Sequence, residues 1–93
     1  MESDPLAHLQ DIAARLTAAA RLTDPIQQYR ALRDLAPEAK TAIAIAQDHA
    51  IAKARSAGMP ETDVAAQAGV GVHEVRRRVT AHRHHINRHA DEA

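Results

Sequence analysis

Prolines divide this chain into helical stretches and leave little freedom about where each stretch begins. Asp4-Pro5 and Asp24-Pro25 each predict an N-cap followed by proline at the first helical position, where its missing N–H costs no hydrogen bond. Pro37 disfavours helix at the residue before it and starts a new stretch. Glycines suited to a left-handed ending close the third and fourth stretches, at Gly58 and Gly69. The sequence therefore predicts five helices, over residues 5–22, 25–35, 37–57, 60–69 and 72–88.

Apolar residues recur at helical spacing inside these stretches. The predicted inward stripe of the first helix consists of Leu6, Leu9, Ile12, Ala13, Leu16 and Ala20. That of the second helix consists of Ile26, Tyr29, Leu32 and Leu35. Nothing alternates in the manner of a strand, and there is no Asn-Gly hairpin signal. The pattern predicts an all-α fold.

Large apolar side chains are scarce in these 93 residues, since alanine dominates, Phe and Trp are absent and Tyr29 is the one aromatic residue. The hydrophobic gain offsets the backbone entropy of about 1–2 kcal/mol per ordered residue by a thin margin. A second copy would supply further burial, so we expect a homodimer. Residues 1–58 are the predicted helical support and dimerisation region, and they form one continuous domain with residues 59–93.

Composition also narrows the class of protein. The lack of cysteine excludes disulfides and thiolate metal sites. No apolar run approaches the ~20 residues of a membrane span, and the first residues are acidic, so we expect a cytoplasmic protein that binds no membrane. No Ser-His-acid set, phosphate-binding glycine loop or paired carboxylate stands out. We therefore predict neither an enzyme nor a cofactor.

Charge is unevenly distributed although the formal net charge is zero at pH 7. Residues 76–90 contain five arginines, four histidines and no acid. A basic end of this kind is typical of a nucleic-acid-binding protein.

The segment PETDVAAQAGVGVHEVRRRV, residues 60–79, has the spacing of a helix-turn-helix. Ala65 is the small residue where two helices cross, Gly69 makes the turn, and Val70 fills the space beneath it. Val75 anchors the second helix ten residues after Ala65, and Val64 with Ala68 completes the inner face of the first. The sequence thus predicts a compact five-helix domain whose C-terminal helix-turn-helix, residues 59–93, binds double-stranded DNA.

This segment resembles the helix-turn-helix of sigma-factor region-four-like and small repressor proteins. It is similar to small actinobacterial proteins with a "GMP…VAAQAGV…VRRRV" segment, and ten Arg against two Lys fits a GC-rich genome. Gly71 departs from the family pattern, which has Ser or Thr as the cap, and Arg78 stands where an apolar residue is common. The resemblance implies base contacts at the start of the second helix, at Gly71, Val72, His73, Arg76, Arg77 and Thr80.

Helical geometry of about 100° per residue assigns the faces of the fifth predicted helix. The inward stripe is Val72, Val75, Val79, His82 and Ile86, and the opposite face carries His73, Arg77, Thr80, His84 and Arg88. Arg78 points away from the groove and is expected to contact a phosphate or Glu74. The full set of predicted DNA-binding residues is Gly71, Val72, His73, Arg76, Arg77, Arg78, Thr80, Arg83 and His84.

Alternatives remain at this stage. The N-terminal half, residues 5–57, could bind a protein partner, as in an antitoxin or adaptor. The helix-turn-helix could also serve plasmid or phage maintenance instead of repression. The histidines at 82, 85 and 89 have a metal-compatible spacing, but no carboxylate lies among them and we predict no metal site. Because free histidine titrates near 6.5, the sequence predicts tighter DNA binding at pH 6 than at pH 8.

Overall fold

The computed structural model describes the backbone of residues 5–92 and the side chains of residues 5–86. The described residues are all-helical and form four helices: α1 (Pro5–Ala20), α2 (Pro25–Ser56), α3 (Glu61–Ala68) and α4 (Val72–Glu92). The predicted fold class is confirmed, but the predicted number of helices is wrong. None of the described helices has both the length and the apolar composition that crossing a membrane requires.

Most of the predicted boundaries agree with the structure because each rests on a local signal. Pro5 and Pro25 begin α1 and α2. The Asp24 carboxylate accepts a hydrogen bond from the backbone N–H of Ile26 (3.1 Å), as an N-cap does. The cap predicted at Asp4 lies outside the described residues. Gly58 and Gly69 adopt φ of +98° and +73°, the left-handed conformation expected after a helix.

The break predicted at Pro37 is wrong, since α2 continues through this proline without interruption. An interior proline loses one helical hydrogen bond and costs about 3 kcal/mol. The cost is tolerated because Pro37 lies on the solvent side, while the buried stripe continues on either side of it with Leu35, Ala39 and Ala42. Helix continuity keeps that stripe on one face, and the predicted second and third helices are therefore one.

The chain divides into two compact units, one ending at Ala46 and the other beginning at Gln47. The N-terminal unit contains α1 and the first part of α2. Its buried side chains are Ile12, Ala19, Leu35 and Ala42. Arg15 of α1 donates to Glu38 of α2 (2.8 Å), and the Gln28 amide donates to the carbonyl of Ala20 (2.6 Å).

Several residues predicted to face inward in this unit are exposed. Ile26 and Tyr29 are 62% and 63% exposed, whereas Leu35 of the same predicted stripe is buried. In α1 the stripe is rotated toward Ile12, and the exposed members of the prediction are Leu6, Ala13 and Ala20. The prediction failed because the uninterrupted α2 buries the face defined by Leu35 and Ala42, not the one defined by Ile26 and Tyr29.

The C-terminal unit contains the last part of α2 with α3 and α4. Its core is Val64, Ala65 and Val75, against which partly buried side chains pack: Ile51, Ala54, Met59, Val70 and Val72. Residues 47–56 thus belong with α3 and α4, although the sequence analysis grouped them with the N-terminal half. The reason is that Ile51 and Ala54 supply part of this core from α2.

Candidate nucleic-acid interface

The turn between α3 and α4 is built from backbone hydrogen bonds and two glycines. After the eight-residue α3, Gly69 adopts its left-handed conformation, and the N–H of Val70 donates to the carbonyl of Ala65 (3.0 Å). The carbonyl of Gly71 then accepts from the N–H groups of Glu74 and Val75 (3.1 and 3.3 Å), which makes Gly71 the N-cap residue of α4. Three residues therefore separate one helix from the next.

The packing beneath this turn holds α3 against α4. Ala65 and Val75 are both buried in one cluster, with Val75 fully enclosed, and Val70 packs against them. These contacts agree with the roles predicted for the three residues. Ala68 is exposed, so its predicted place on the inner face of α3 is wrong. α3 is only two turns long, and Val64 and Ala65 already fill the contact with α4.

The outward face of α4 presents polar and basic side chains to solvent. The predicted binding residues that are exposed there are His73, Arg76, Arg77, Thr80, Arg83 and His84, together with Gly71 in the turn. His73, Arg77, Thr80 and His84 fall within one narrow stripe at 100° per residue. Arg76 and Arg83 lie beside it. Arg88 is outside the residues whose side chains are described.

Two members of the predicted set lie elsewhere. Val72 packs against the core cluster of Val64, Ala65 and Val75. The Arg78 side chain is 17% exposed and binds Asp48 of α2, whose side chain is 16% exposed (Nη1–Oδ1 2.9 Å). Arg78 also lies 3.5 Å from Glu74, as the sequence analysis expected. The structure does not bring Val72 or Arg78 together with the outward stripe.

Arg76 and Glu61 form a two-bond ion pair between α4 and α3. Arg76 Nε donates to Glu61 Oε2 (3.0 Å), and Nη2 donates to Oε1 (2.9 Å). The hydrogen bond from Arg76 lowers the pKa of Glu61 and raises that of Arg76 itself. The pair uses both oxygens of the carboxylate, and this bidentate geometry is the strongest one available to an arginine and a carboxylate.

Arg77 has a looser contact with Glu74, one turn before it on the same helix. A single bond joins Arg77 Nη2 to Glu74 Oε1 (3.1 Å). The hydrogen bond from Arg77, and then the charge of Arg78, lower the pKa of Glu74. The three consecutive arginines of α4 therefore have carboxylate partners on three different helices.

His82 lies on the inner side of α4, as predicted, and its ring meets that of His49 from α2 edge-on at a centroid distance of 5.1 Å. Burial and the neighbouring His49 lower the pKa of His82, against the opposing effect of Asp48. Ile86 is half exposed, so its predicted inward position is wrong. The described residues contain no cluster of three His, Asp or Glu side chains suited to a metal, and the side chain of His89 lies outside them.

No protein-family model, curated protein or solved structure matches this chain. Function is therefore inferred from the geometry of α3 and α4 and from the charges they carry.

Two of the contacts that sequence reasoning missed join residues far apart along the chain. Glu61 meets Arg76 across the turn, and Asp48 meets Arg78 from a different helix. A pattern within one helix carries no signal for such pairs. The one available hint is Glu61 itself, an acid in the first turn of α3 with a basic helix following it.

Proposed function

We propose that this protein binds double-stranded DNA in a sequence-dependent manner, with α3 and α4 acting as a helix-turn-helix and α4 as the helix that enters the major groove. The observation that carries the proposal is the pairing of two features of α4. Its inner side, through Val75, is fixed to α3, and its outer side presents an exposed stripe of His73, Arg77, Thr80 and His84. A recognition helix needs this arrangement, because one side must pack on the rest of the domain while the other presents polar side chains to the base edges in the major groove.

The chemistry of the stripe suits base edges and phosphates. Arginine forms bidentate hydrogen bonds to the O6 and N7 atoms of guanine, which typically gives about 1–3 kcal/mol of discrimination. Threonine and neutral histidine both donate and accept hydrogen bonds. In keeping with the small repressors that the segment resembles, the role we propose is transcription repression by occupation of a promoter.

The proposed assembly is a homodimer that contacts two half-sites about one helical turn apart. An exposed seam on the outward side of α2 supports it. The seam has the 3-4-3-4-3 spacing of a coiled-coil interface and consists of Ile26, Tyr29, Arg33, Ala36, Lys40 and Ile43. Ile26, Tyr29 and Ile43 are each more than half exposed in the single chain.

The seam is self-complementary when two copies of α2 run antiparallel. Ile26 of one copy then faces Ile43 of the other, and Tyr29 faces Lys40, whose stem and ammonium suit an aromatic ring. The small Ala36 leaves room for Arg33, whose charge is offset by Asp34 of its own chain at 3.5 Å. These pairings favour a second copy as the occupant of the seam.

Sedimentation of the purified protein tests the dimer. The wild type is expected to be dimeric at micromolar concentration, and Ile26→Asp and Ile43→Asp to be monomeric with unchanged helicity. Gln27→Asp is the matched control, since Gln27 is exposed on α2 but lies outside the seam. A monomeric wild type would remove the dimer and favour a different protein as the partner of residues 5–57.

Recovery of genomic fragments at about 150 mM salt tests the DNA reading. The wild type is expected to retain one or a few palindromic fragments, Arg77→Ala to lose them, and Arg30→Ala, an exposed arginine of the N-terminal unit, to retain them. Equal weak binding to all fragments that fades steeply with salt would indicate phosphate contact alone. A wild type that binds no duplex would disprove the proposal.

A further inference from the structure

The three consecutive arginines of α4, residues 76–78, differ in how firmly their donors are occupied. Arg78 is enclosed between α2 and α4 by Asp48 and Glu74. Arg76 is exposed on the helix surface, yet two of its donors are bound by Glu61. Arg77 is equally exposed, but one bond to Glu74 holds it. The consecutive arginines are thus not equivalent.

The pair with Glu61 occupies one of the two edges through which the Arg76 guanidinium could bind a guanine. Nε and Nη2 form one edge of the guanidinium, and their spacing matches either the two oxygens of a carboxylate or the O6 and N7 atoms of guanine. Since Glu61 accepts from both, Arg76 keeps only its second edge, Nη1 and Nη2, for a base, while the pair holds its guanidinium against α3. Arg77 has a single bond to release.

The surroundings of Glu61 also favour its pair with Arg76. Glu61 lies in the first turn of α3, where the helix dipole stabilises a carboxylate, and the positive charge of Arg55 is near enough to stabilise it further. Glu74 has a different position, because it is shared between Arg77 and Arg78. It keeps a partner in Arg78 when Arg77 leaves, so the departure of Arg77 strands no carboxylate.

We propose, on the basis of the DNA-binding function above, that Arg77 is the base-reading residue among the three consecutive arginines of α4 and that Glu61 is a positioning residue that holds Arg76 against α3 and away from the groove. Of the three consecutive arginines, Arg76 joins α4 to α3, Arg78 joins α4 to α2, and Arg77 is the one available to the major groove. The expected ligand is therefore duplex DNA that has one guanine per half-site, at the position facing Arg77.

The test uses a library of about 30-base-pair duplexes with a randomised centre, from which each variant selects its preferred sequences. Wild type and Arg76→Ala are expected to enrich the same guanine position. Arg77→Ala is expected to lose that preference by about 5- to 100-fold, in line with the usual range for a bidentate pair. Arg77→Lys keeps the positive charge but lacks the two parallel donors of a guanidinium. It should therefore lose the preference for guanine while retaining affinity for unselected duplex.

Glu61→Gln tests the positioning role, with Glu38→Gln as the matched control. Both changes remove one negative charge from a carboxylate bonded to an arginine, but Glu38 binds Arg15 in the N-terminal unit. Relative to Glu38→Gln, we expect Glu61→Gln to bind unselected duplex about two- to five-fold more tightly, as for release of an exposed ion pair. The slope of log affinity against log salt should steepen by about 0.9 for the added phosphate contact.

Each outcome bears on one proposal or the other. Loss of the guanine preference in Arg76→Ala, with its retention in Arg77→Ala, would overturn the assignment of the reader. Identical binding by Glu61→Gln and Glu38→Gln would overturn the role of Glu61. If the wild type binds no duplex at any salt concentration, the DNA-binding function fails and this inference fails with it.

Discussion

The two compact units of this protein bury their apolar residues to different degrees. In the C-terminal unit, Val64 and Val75 are almost completely enclosed, and an ion pair joins Arg78 to Asp48. In the N-terminal unit, Ile12 is enclosed to a similar degree, but Ile26, Tyr29 and Ile43 face solvent. A chain with few large apolar residues has thus left several of them uncovered in one unit. This difference is the basis for proposing that the C-terminal unit holds a fixed surface and that the N-terminal unit binds another chain.

The largest expected effect comes from shortening one apolar side chain in each unit and comparing the two losses of stability. Val75→Ala is expected to lower the free energy of unfolding by about 2–3 kcal/mol, because a fully enclosed side chain leaves a cavity. Ile43→Ala removes more carbon atoms but at a half-exposed position, so it should cost less than about 1 kcal/mol in the monomer. Urea denaturation followed by circular dichroism, in the monomeric background of Ile26→Asp, measures both. Equal losses would show that the units do not differ in this way.

Local signals in the sequence account for much of the fold. The starts of α1 and α2 follow from proline, and the ends of α2 and α3 from glycines that take positive φ. The helix break predicted at Pro37 was wrong because it considered only the local effect of proline on the backbone. The continuity of α2 depends instead on burying Leu35 and Ala42 on the same face. The exposure of Ile26 and Tyr29 follows from the same cause. Which face of a helix is buried depends on its neighbours, and a single helix does not encode them.

The candidate site was predictable to a similar extent. Helical periodicity placed Arg77, Thr80 and His84 on the solvent side and Val75 on the inside, and the structure agrees. Periodicity could not find Asp48 as the partner of Arg78, since thirty residues separate them. That contact gives the largely enclosed Arg78 a carboxylate partner from α2.

The second test compares the enclosed ion pair Arg78–Asp48 of the C-terminal unit with an exposed ion pair of the N-terminal unit. Asp48→Asn is expected to cost about 1–3 kcal/mol of stability, because a largely enclosed guanidinium loses the nearer of its two charged partners. Asp34→Asn is the matched control, since Asp34 pairs with Arg33 in the open, where removing a partner changes stability by less than about 1 kcal/mol. Thermal unfolding of the two variants measures the difference. A control that loses as much as Asp48→Asn would refute the structural role of the enclosed pair.

A smaller effect is expected from pH through His82. Burial places the pKa of His82 below the ordinary histidine value of 6.5, so the folded chain favours the neutral ring. This contribution to stability is complete above pH 6.5 and declines as the pH falls from 6.5 through the folded pKa. Wild type should therefore lose more stability than His82→Gln between pH 7.5 and pH 5.5. His84→Gln, at an exposed position of the same helix, should follow the wild type, and parallel curves for all three would remove His82 as the cause.

The smallest expected effect concerns the turn that positions α4. Gly71 is the N-cap of α4, its φ is not positive, and nothing lies within 4 Å of where a Cβ would stand. A serine there can accept a hydrogen bond from the second or third N–H of α4, so Gly71→Ser should stabilise by a few tenths of a kcal/mol. Gly71→Ala adds the same Cβ without an acceptor and should destabilise. Hydrogen exchange of the first amides of α4 separates the two variants, and slower exchange in both would show that chain stiffness, rather than capping, controls this end of the helix.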